Sequence, residues 1–230
     1  MTDLDQLKEA AYERVAHMLP NHIFNEFDQL NSRMLIAVTL MQRGEKNLAY
    51  RLFETIAENG PDENENRLFA YVRSLTEMAE MDAEREAFDQ AEKKMETALH
   101  YFPESMGYMM SRVHLEVYLT YYRFQLGHKE RAICELKEIV DREEAKFRSQ
   151  TDEDGRNLVG PGLCYALHQL ALFYAEKEGW KKAVENFRLL KKYASSIDEK
   201  GWEKALQLEK EGLYEEAFRQ MEESVSYQAG

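Results

Sequence analysis

Apolar residues recur every three or four positions along most of the chain, and this spacing predicts a series of amphipathic helices. The first predicted helix spans residues 3–19, where Thr2 or Asp3 can cap the start and Pro20 ends it. Its apolar face contains Leu4, Leu7, Ala11, Val15 and Met18. Residues 21–29 are predicted to form a short helical turn, and the first helix is predicted to pack as a cap on the next helices of the chain.

Two segments near the C-terminus, 178–187 and 212–221, can be aligned with each other. Each contains a glycine turn, an aromatic residue, two polar residues, an alanine and, four positions later, a large apolar residue. The two alanines, Ala183 and Ala217, are 34 residues apart. A fixed period of this length is typical of helix-turn-helix repeats that stack into a solenoid.

Weaker copies of the same pattern precede these two segments. The five predicted repeats lie near residues 30–63, 72–105, 113–149, 164–197 and 198–230. Their central alanines include Ala49, Ala91 and Ala132, which are 42 and 41 residues apart instead of 34. Between the first two repeats, the extra residues are therefore predicted to lengthen a helix or a linker near residues 62–66.

The turns inside the repeats are predicted at Arg43-Gly44, at residues 84–86, which lack glycine, and at Gly127. A longer interruption falls between the third and fourth repeats. Residues 150–162 are polar and rich in glycine, with Gly160-Pro161-Gly162 at the end, and they predict a loop of about a dozen residues. Two interpretations stay open: a mobile excursion, or a loop that covers a ligand.

Composition supports an all-α fold, because residues that favour helices are plentiful while the chain has only 4 prolines and 11 glycines. The net charge of −13 argues against a nucleic-acid partner and against an anionic membrane surface. A basic or neutral protein or peptide is the partner that electrostatics favours. A solvated acidic surface alone also explains the charge.

No residue pattern indicates catalysis or a bound cofactor. Motifs for metal ligation, nucleophilic catalysis and phosphate binding are absent, and the six histidines are scattered. Cys134 and Cys164 both fall in helical apolar patterns, so we expect two buried free thiols. The N-terminus lacks an apolar leader and no stretch reaches about 18 apolar residues, which predicts a cytoplasmic protein without a membrane span.

The repeat pattern resembles the tetratricopeptide repeat family. The first repeat matches that family at Ala37, Leu40, Ala49, Phe53, Ile56 and Pro61, and the fourth at Leu167, Leu170, Ala171, Tyr174, Trp180, Ala183 and Phe187. The resemblance implies a right-handed α-solenoid of about five antiparallel helix pairs. The predicted organisation is therefore an N-terminal cap, 1–29, followed by a repeat array, 30–230.

The family's geometry also implies a binding surface, because the first helix of each repeat lines the concave face. The residues that it places there, and that we select as candidate partner-binding residues, are Arg73, His114, Tyr118, Tyr121, Tyr165, His168 and Gln169. Tyrosine combines an apolar ring with a polar tip and suits peptide recognition. The alternative is that Tyr118, Tyr121 and Tyr122 simply pack between consecutive repeats. The Lys/Asn set by which some family members hold a C-terminal carboxylate is absent from these positions.

These expectations favour a non-enzymatic scaffold that binds a protein or peptide on its concave face. Two alternatives remain. The near-40 spacing is similar to that of bacterial cytosolic receptors and regulators that bind short signalling peptides, although only about 29 residues precede the first repeat, too few for the usual output module. A homo-oligomeric assembly factor is the other, because solenoid ends expose apolar surface unless they are capped, and a homodimer would cover it.

Overall fold

The amphipathic patterns form helices that pack against their sequence neighbours, as the all-α prediction requires. The computed structural model describes residues 2–226, so the last four residues of the fifth predicted repeat, 227–230, lie outside the described residues. Over residues 2–226 the chain forms twelve α-helices, two short 3-10 helices and one pair of two-residue strands. The helices group into two compact units, and the boundary falls between Met109 and Met110.

The first unit holds six α-helices. In chain order these are α1 Asp3–Val15, α2 Asn21–Asn25, α3 Leu30–Gln42, α4 Lys46–Ala57, α5 Glu65–Glu84 and α6 Phe88–His100, with 3-10 helices at Ala16–Met18 and Glu104–Met106. The second unit contains α7 Arg112–Gln125, α8 Lys129–Ser149, α9 Glu153–Glu178, α10 Trp180–Leu190, β1 Ser196–Ile197, α11 Glu199–Lys210, α12 Tyr214–Ser224 and β2 Val225–Ser226.

Helix α1 begins with a reciprocal cap: the Asp5 amide donates to the Thr2 hydroxyl at 3.1 Å, and the Thr2 amide donates to the Asp5 carboxylate at 2.8 Å. Leu7, Ala11 and Val15 are buried where α1 packs against α3 and α4. Met18 is exposed because the α-helix ends at Val15, which moves Met18 off the apolar face. Helix α1 therefore packs on both α3 and α4.

Five pairs of consecutive helices pack against each other and overlap the five predicted repeats: α3–α4, α5–α6, α7–α8, α9–α10 and α11–α12. In each pair the central alanine of the second helix is fully buried, namely Ala49, Ala91, Ala132, Ala183 and Ala217. A methyl side chain at this position lets the two helix backbones approach closely. The turn that lacks glycine places Glu86 in the left-handed region with φ 61°, a conformation that glycine adopts in the turns of the other four pairs.

Consecutive pairs within a unit pack against each other in two ways. Helix α5 packs against both α3 and α4, and α9 packs against both α7 and α8. Between the fourth and fifth pairs the main helix contact joins α10 to α12. The chain then returns beside the start of α11, where β2 pairs antiparallel with β1 and places Val225 opposite Ile197.

The predicted loop at residues 150–162 is wrong, because residues 153–162 are the first turns of α9. The Asp152 carboxylate accepts a hydrogen bond from the Gly155 amide at 2.7 Å and starts the helix there. The glycines allow close packing: a Cβ added at Gly162 would lie 3.4 Å from the side chain of Val113 on α7. The additional residues therefore lengthen α9, as others lengthen α5 near the predicted position.

The expected burial of both thiols is half wrong. Cys164 is buried and free, whereas Cys134 is free but exposed. The buried face of α8 is formed by Ala132, Leu136 and Ile139, and Cys134 points away from it.

By length and composition α9 could cross a membrane, but this is a weak indication because half of its apolar stretch is buried inside the protein.

Candidate functional site

Five aromatic side chains meet where α7 packs against α9. This aromatic cluster consists of His114, Tyr118, Tyr121, Tyr122 and Tyr165. Four of them lie on α7: His114, Tyr118 and Tyr122 follow one another at intervals of four residues, and Tyr121 lies three residues after Tyr118. Tyr165 reaches the same place from α9. The structure thus brings together four of the seven predicted site residues.

His114 is anchored inside the cluster. Its ring stacks on Tyr165 with the ring centres 4.6 Å apart, and its Nδ1 lies 2.7 Å from the Ser111 hydroxyl. Only 8% of His114 is exposed, and burial lowers the pKa of its imidazole. Within residues 2–226 the buried Nε2 has no hydrogen-bond partner. The cluster therefore contains a neutral imidazole with one buried polar atom left without a hydrogen bond.

The tyrosines divide into one structural ring and three partly accessible rings. Tyr122 is fully buried, and Tyr118 lies nearly parallel to it at 6.5 Å. Tyr118 also meets Tyr165 edge-on at 6.0 Å, while Tyr121 meets Tyr122 edge-on at 6.0 Å. Tyr118, Tyr121 and Tyr165 are each half-buried. Packing fixes these three rings while leaving part of each one accessible, an arrangement that suits binding of an amphipathic segment.

His168 and Gln169 lie further along α9. The His168 Nε2 is 2.5 Å from the Glu222 carboxylate of α12, and its ring packs edge-on against Phe187 at 5.3 Å and near Phe218 at 6.0 Å. These contacts join His168 to the core of the fourth and fifth pairs. Gln169 is half-buried beside it. The contacts of His168 indicate a structural role that sequence reasoning did not foresee.

Arg73 belongs to the first unit, on α5. Its guanidinium forms an ion pair with the buried carboxylate of Glu77, one turn later on the same helix. Burial and the charge of Glu77 together raise the pKa of the neighbouring Glu80 to about 7. Arg73 therefore balances negative charge on α5, and its ion pair with Glu77 explains its position without a bound ligand.

Sequence reasoning missed an ion-pair network between α7 and α8. Arg142 binds the carboxylates of Glu116 and Glu143, and Arg123 contacts Glu135 at 2.7 Å. Glu143 is only 3% exposed, so its charge depends on Arg142 and on Lys146 at 2.8 Å. Acidic and basic residues are too common in this chain for spacing alone to reveal such a network.

A concave pocket at the start of α9 was also missed. We call it the α9 pocket; it has a volume of about 470 Å³ and is lined by Phe147, Glu153, Arg156, Asn157, Gly160, Pro161, Lys192, Tyr193, Ala194 and Ser195. The sequence signal was present in Gly160-Pro161-Gly162, but it was interpreted as a loop. Three separate chain segments form the pocket, and their proximity is a consequence of the fold.

Two kinds of reactive group were considered in the described residues: metal-binding clusters and a nucleophilic thiol. Among the described residues, no group of three or more His, Cys, Asp and Glu side chains could hold a metal ion. Burial raises the pKa of the Cys164 thiol to about 12, so this sulfur is a poor nucleophile. Comparison with known proteins gives no further assignment: no protein-family model matches the chain, and no curated protein matches it.

Proposed function

We propose that this chain is a non-enzymatic scaffold that binds a peptide or a protein segment. The observation that carries the proposal is the aromatic cluster, in which three half-buried tyrosines and a buried histidine come from the first helices of two consecutive pairs. The predicted concave face of a repeat array is built from those same helices. The ligand would lie across α7 and α9 with its apolar side chains against the tyrosine rings.

The scaffold itself would be a tetratricopeptide-like, right-handed α-solenoid of five helix pairs. Support comes from the buried central alanines and from the way α5 and α9 each pack against both helices of the preceding pair. The turns between paired helices use left-handed residues at each predicted position. Cytoplasmic location belongs to the same proposal and rests on the sequence arguments alone.

The cluster favours binding over catalysis for a physical reason. General acid–base chemistry needs a group that titrates near neutral pH and reaches the substrate, whereas burial lowers the pKa of His114 and keeps its ring neutral. Tyrosine rings lose little conformational entropy on binding, so each can contribute strongly to affinity.

Selection from a random peptide display library on the full chain tests this proposal. We expect peptides to be enriched whose affinity, measured by fluorescence anisotropy, falls at least about tenfold in Tyr121→Ala and in Tyr118→Ala, because contacts at the centre of an interface dominate its energy. Tyr12→Ala is the matched control: Tyr12 is 58% exposed on α1, outside the cluster, and should leave affinity unchanged. Circular dichroism verifies that each variant is folded.

Retained affinity in both cluster variants would move the binding surface elsewhere. The two alternatives are separated by measurements on the same samples. A peptide receptor that switches between open and compact forms requires a change in small-angle scattering when the selected peptide binds. A homo-oligomeric assembly factor requires a mass above that of one chain by light scattering. Such an assembly would cover exposed apolar surface at the end of the array, and in the described part of the fifth pair this surface includes Leu213.

A further inference from the structure

The α9 pocket differs from the aromatic cluster in both place and chemistry. Its walls are the end of α8, the first turns of α9 and the segment that follows α10. A volume of about 470 Å³ falls within the range of pockets that hold small organic ligands. The shape, the rigidity and the charge of these walls each restrict what could bind.

One wall is aromatic and held in place. The rings of Phe147 and Tyr193 meet edge-on at 5.2 Å, and both pack against the core of the fourth and fifth pairs. The Tyr193 hydroxyl donates to the carboxylate of Glu144, which Arg148 also contacts at 2.7 Å. This network fixes the tyrosine ring, so the pocket offers a preformed apolar surface to a flat ligand.

The floor of the pocket is helix backbone at close range. A Cβ added at Gly160 would lie 3.4 Å from the Tyr193 carbonyl oxygen and 3.5 Å from the Phe147 ring, which is ordinary van der Waals contact, so the helix backbone at Gly160 packs directly against these groups. Pro161 has no N–H to donate to the carbonyl of Asn157, four residues earlier. Both residues line the pocket, and the helix therefore lacks one backbone hydrogen bond where it faces the cavity.

The charge of the pocket is opposite in sign to that of the protein. Arg156 and Lys192 line it, and within residues 2–226 neither side chain forms an ion pair or a side-chain hydrogen bond. Glu153 is the acidic residue of the lining. Elsewhere in this unit basic residues such as Arg142, Lys146 and Arg148 are matched by carboxylates. With Glu153 counted, the lining has a net charge of +1 in a chain of net charge −13, and its two cations form a local site for an anion.

We propose that the α9 pocket binds a small organic anion, in which a carboxylate or phosphate group is attached to a flat apolar body. The apolar body lies against Phe147 and Tyr193. The anionic group is bound by Arg156, whose planar guanidinium can hold two of its oxygens, and by Lys192 as a second charge. This site requires no peptide on the aromatic cluster, so it stands independently of the proposed function.

Amide chemical shifts of the full ¹⁵N-labelled chain test the proposal, with phenyl phosphate and benzoate as anionic probes and phenol as the neutral counterpart. We expect both anions to shift the amide signals of Asn157, Gly160 and Ala194 saturably, and phenol to bind at least about tenfold more weakly because it lacks the charge. Inorganic phosphate, titrated alone, shows how much the apolar body contributes. The stronger of the two anionic probes identifies the group that the pocket prefers.

Variants distinguish this pocket from general attraction by basic residues. Arg156→Gln combined with Lys192→Gln should weaken phenyl phosphate at least about tenfold, a loss of about 1.4 kcal/mol. Lys181→Gln, an exposed position on α10 outside the lining, makes half of that charge change and should alter nothing. Asn157→Trp fills the pocket from an exposed helix position and should abolish binding while both cations remain.

Four results would overturn the proposal. They are equal binding of phenol, full affinity in the double variant, shifts that map outside the pocket lining, and no saturable shift with either anion at concentrations up to about 20 mM, where even weak specific binding is visible.

Discussion

The two halves of α9 belong to one helix but lie in different environments. Half of residues 153–162 are exposed, and the segment contains three glycines and a proline and forms part of the α9 pocket. Residues 163–178 match the repeat pattern and bury Leu163, Cys164 and Leu167 among the helices of the fourth and fifth pairs. The second half supplies the packing that stabilises the unit, and the first half supplies surface that is available for binding.

The comparison teaches that helix content alone does not reveal which segment carries stability. The first half is helical because Asp152 caps it and because its glycines fit closely against α7 and α8, not because it buries a continuous apolar face. Such a segment can change with little cost to the fold. Experiments on matched positions in the two halves can test this difference, and the largest effect is expected in chemical reactivity.

Thiol reactivity should separate the two halves most strongly. In a Cys134→Ser background, we expect an engineered Leu158→Cys to react with Ellman's reagent at pH 8 at least about a thousandfold faster than native Cys164, because thiolate is the reactive form. Leu158 is 83% exposed, whereas Cys164 is fully buried and its pKa is raised to about 12. The Cys134→Ser chain alone gives the rate for Cys164. Similar rates at the two positions would mean that the second half opens readily.

The same substitution in each half should have very different effects on stability. Leu167→Ala should lower the free energy of unfolding by about 2–5 kcal/mol, because it leaves a cavity in a core where Leu167 is 1% exposed. Leu158→Ala should change it by less than about 0.5 kcal/mol. Urea unfolding followed by circular dichroism measures both values. A loss above about 1 kcal/mol for Leu158→Ala would contradict the comparison.

The second half was predictable from the sequence and the first half was not. The alanines at 183 and 217, together with the glycine turns, identified the helix pairs because steric contact between helices restricts those positions to small residues. Gly160-Pro161-Gly162 suggested a loop because glycine and proline disfavour helix when tertiary contacts are ignored. The packing of Gly162 on Val113, which overrides that preference, joins residues far apart in the chain.

The candidate sites show the same division. The cluster of His114, Tyr118 and Tyr121 could be predicted because it follows helical spacing on α7. The partnership of His168 with Glu222 spans 54 residues and could not be deduced from one sequence. For Cys134 a signal was available, because it does not share the helix face of Ala132 and Leu136, and closer attention to helical phase would have placed it outside.

His168 and Gln169 test whether the second half of α9 serves the core or a ligand. We expect His168→Ala to cost about 1–3 kcal/mol of unfolding free energy, because it removes ring packing against Phe187 and leaves Glu222 without its imidazole partner. Gln169→Ala, one residue later, should cost less than about 0.5 kcal/mol. Thermal and urea unfolding check both. If His168→Ala is as stable as Gln169→Ala, its contacts contribute nothing to the core and a binding role becomes the better explanation.

Substitution of Pro161 should produce a small effect on stability with the opposite sign. Pro161→Ala restores an N–H that can donate to the carbonyl of Asn157, and it removes the steric conflict of the proline ring with the helix. Alanine also raises the conformational entropy of the unfolded chain, which lowers stability, but we expect this effect to be the smaller one. We therefore expect the free energy of unfolding to rise by about 1 kcal/mol, measured in urea beside Leu158→Ala as the neutral neighbour. Affinity for phenyl phosphate should fall in the same variant if the missing backbone hydrogen bond at Pro161 shapes the α9 pocket. A stabilised variant with unchanged affinity would show that the proline is a local defect which the first half tolerates, and would leave the binding energy with Arg156 and Lys192.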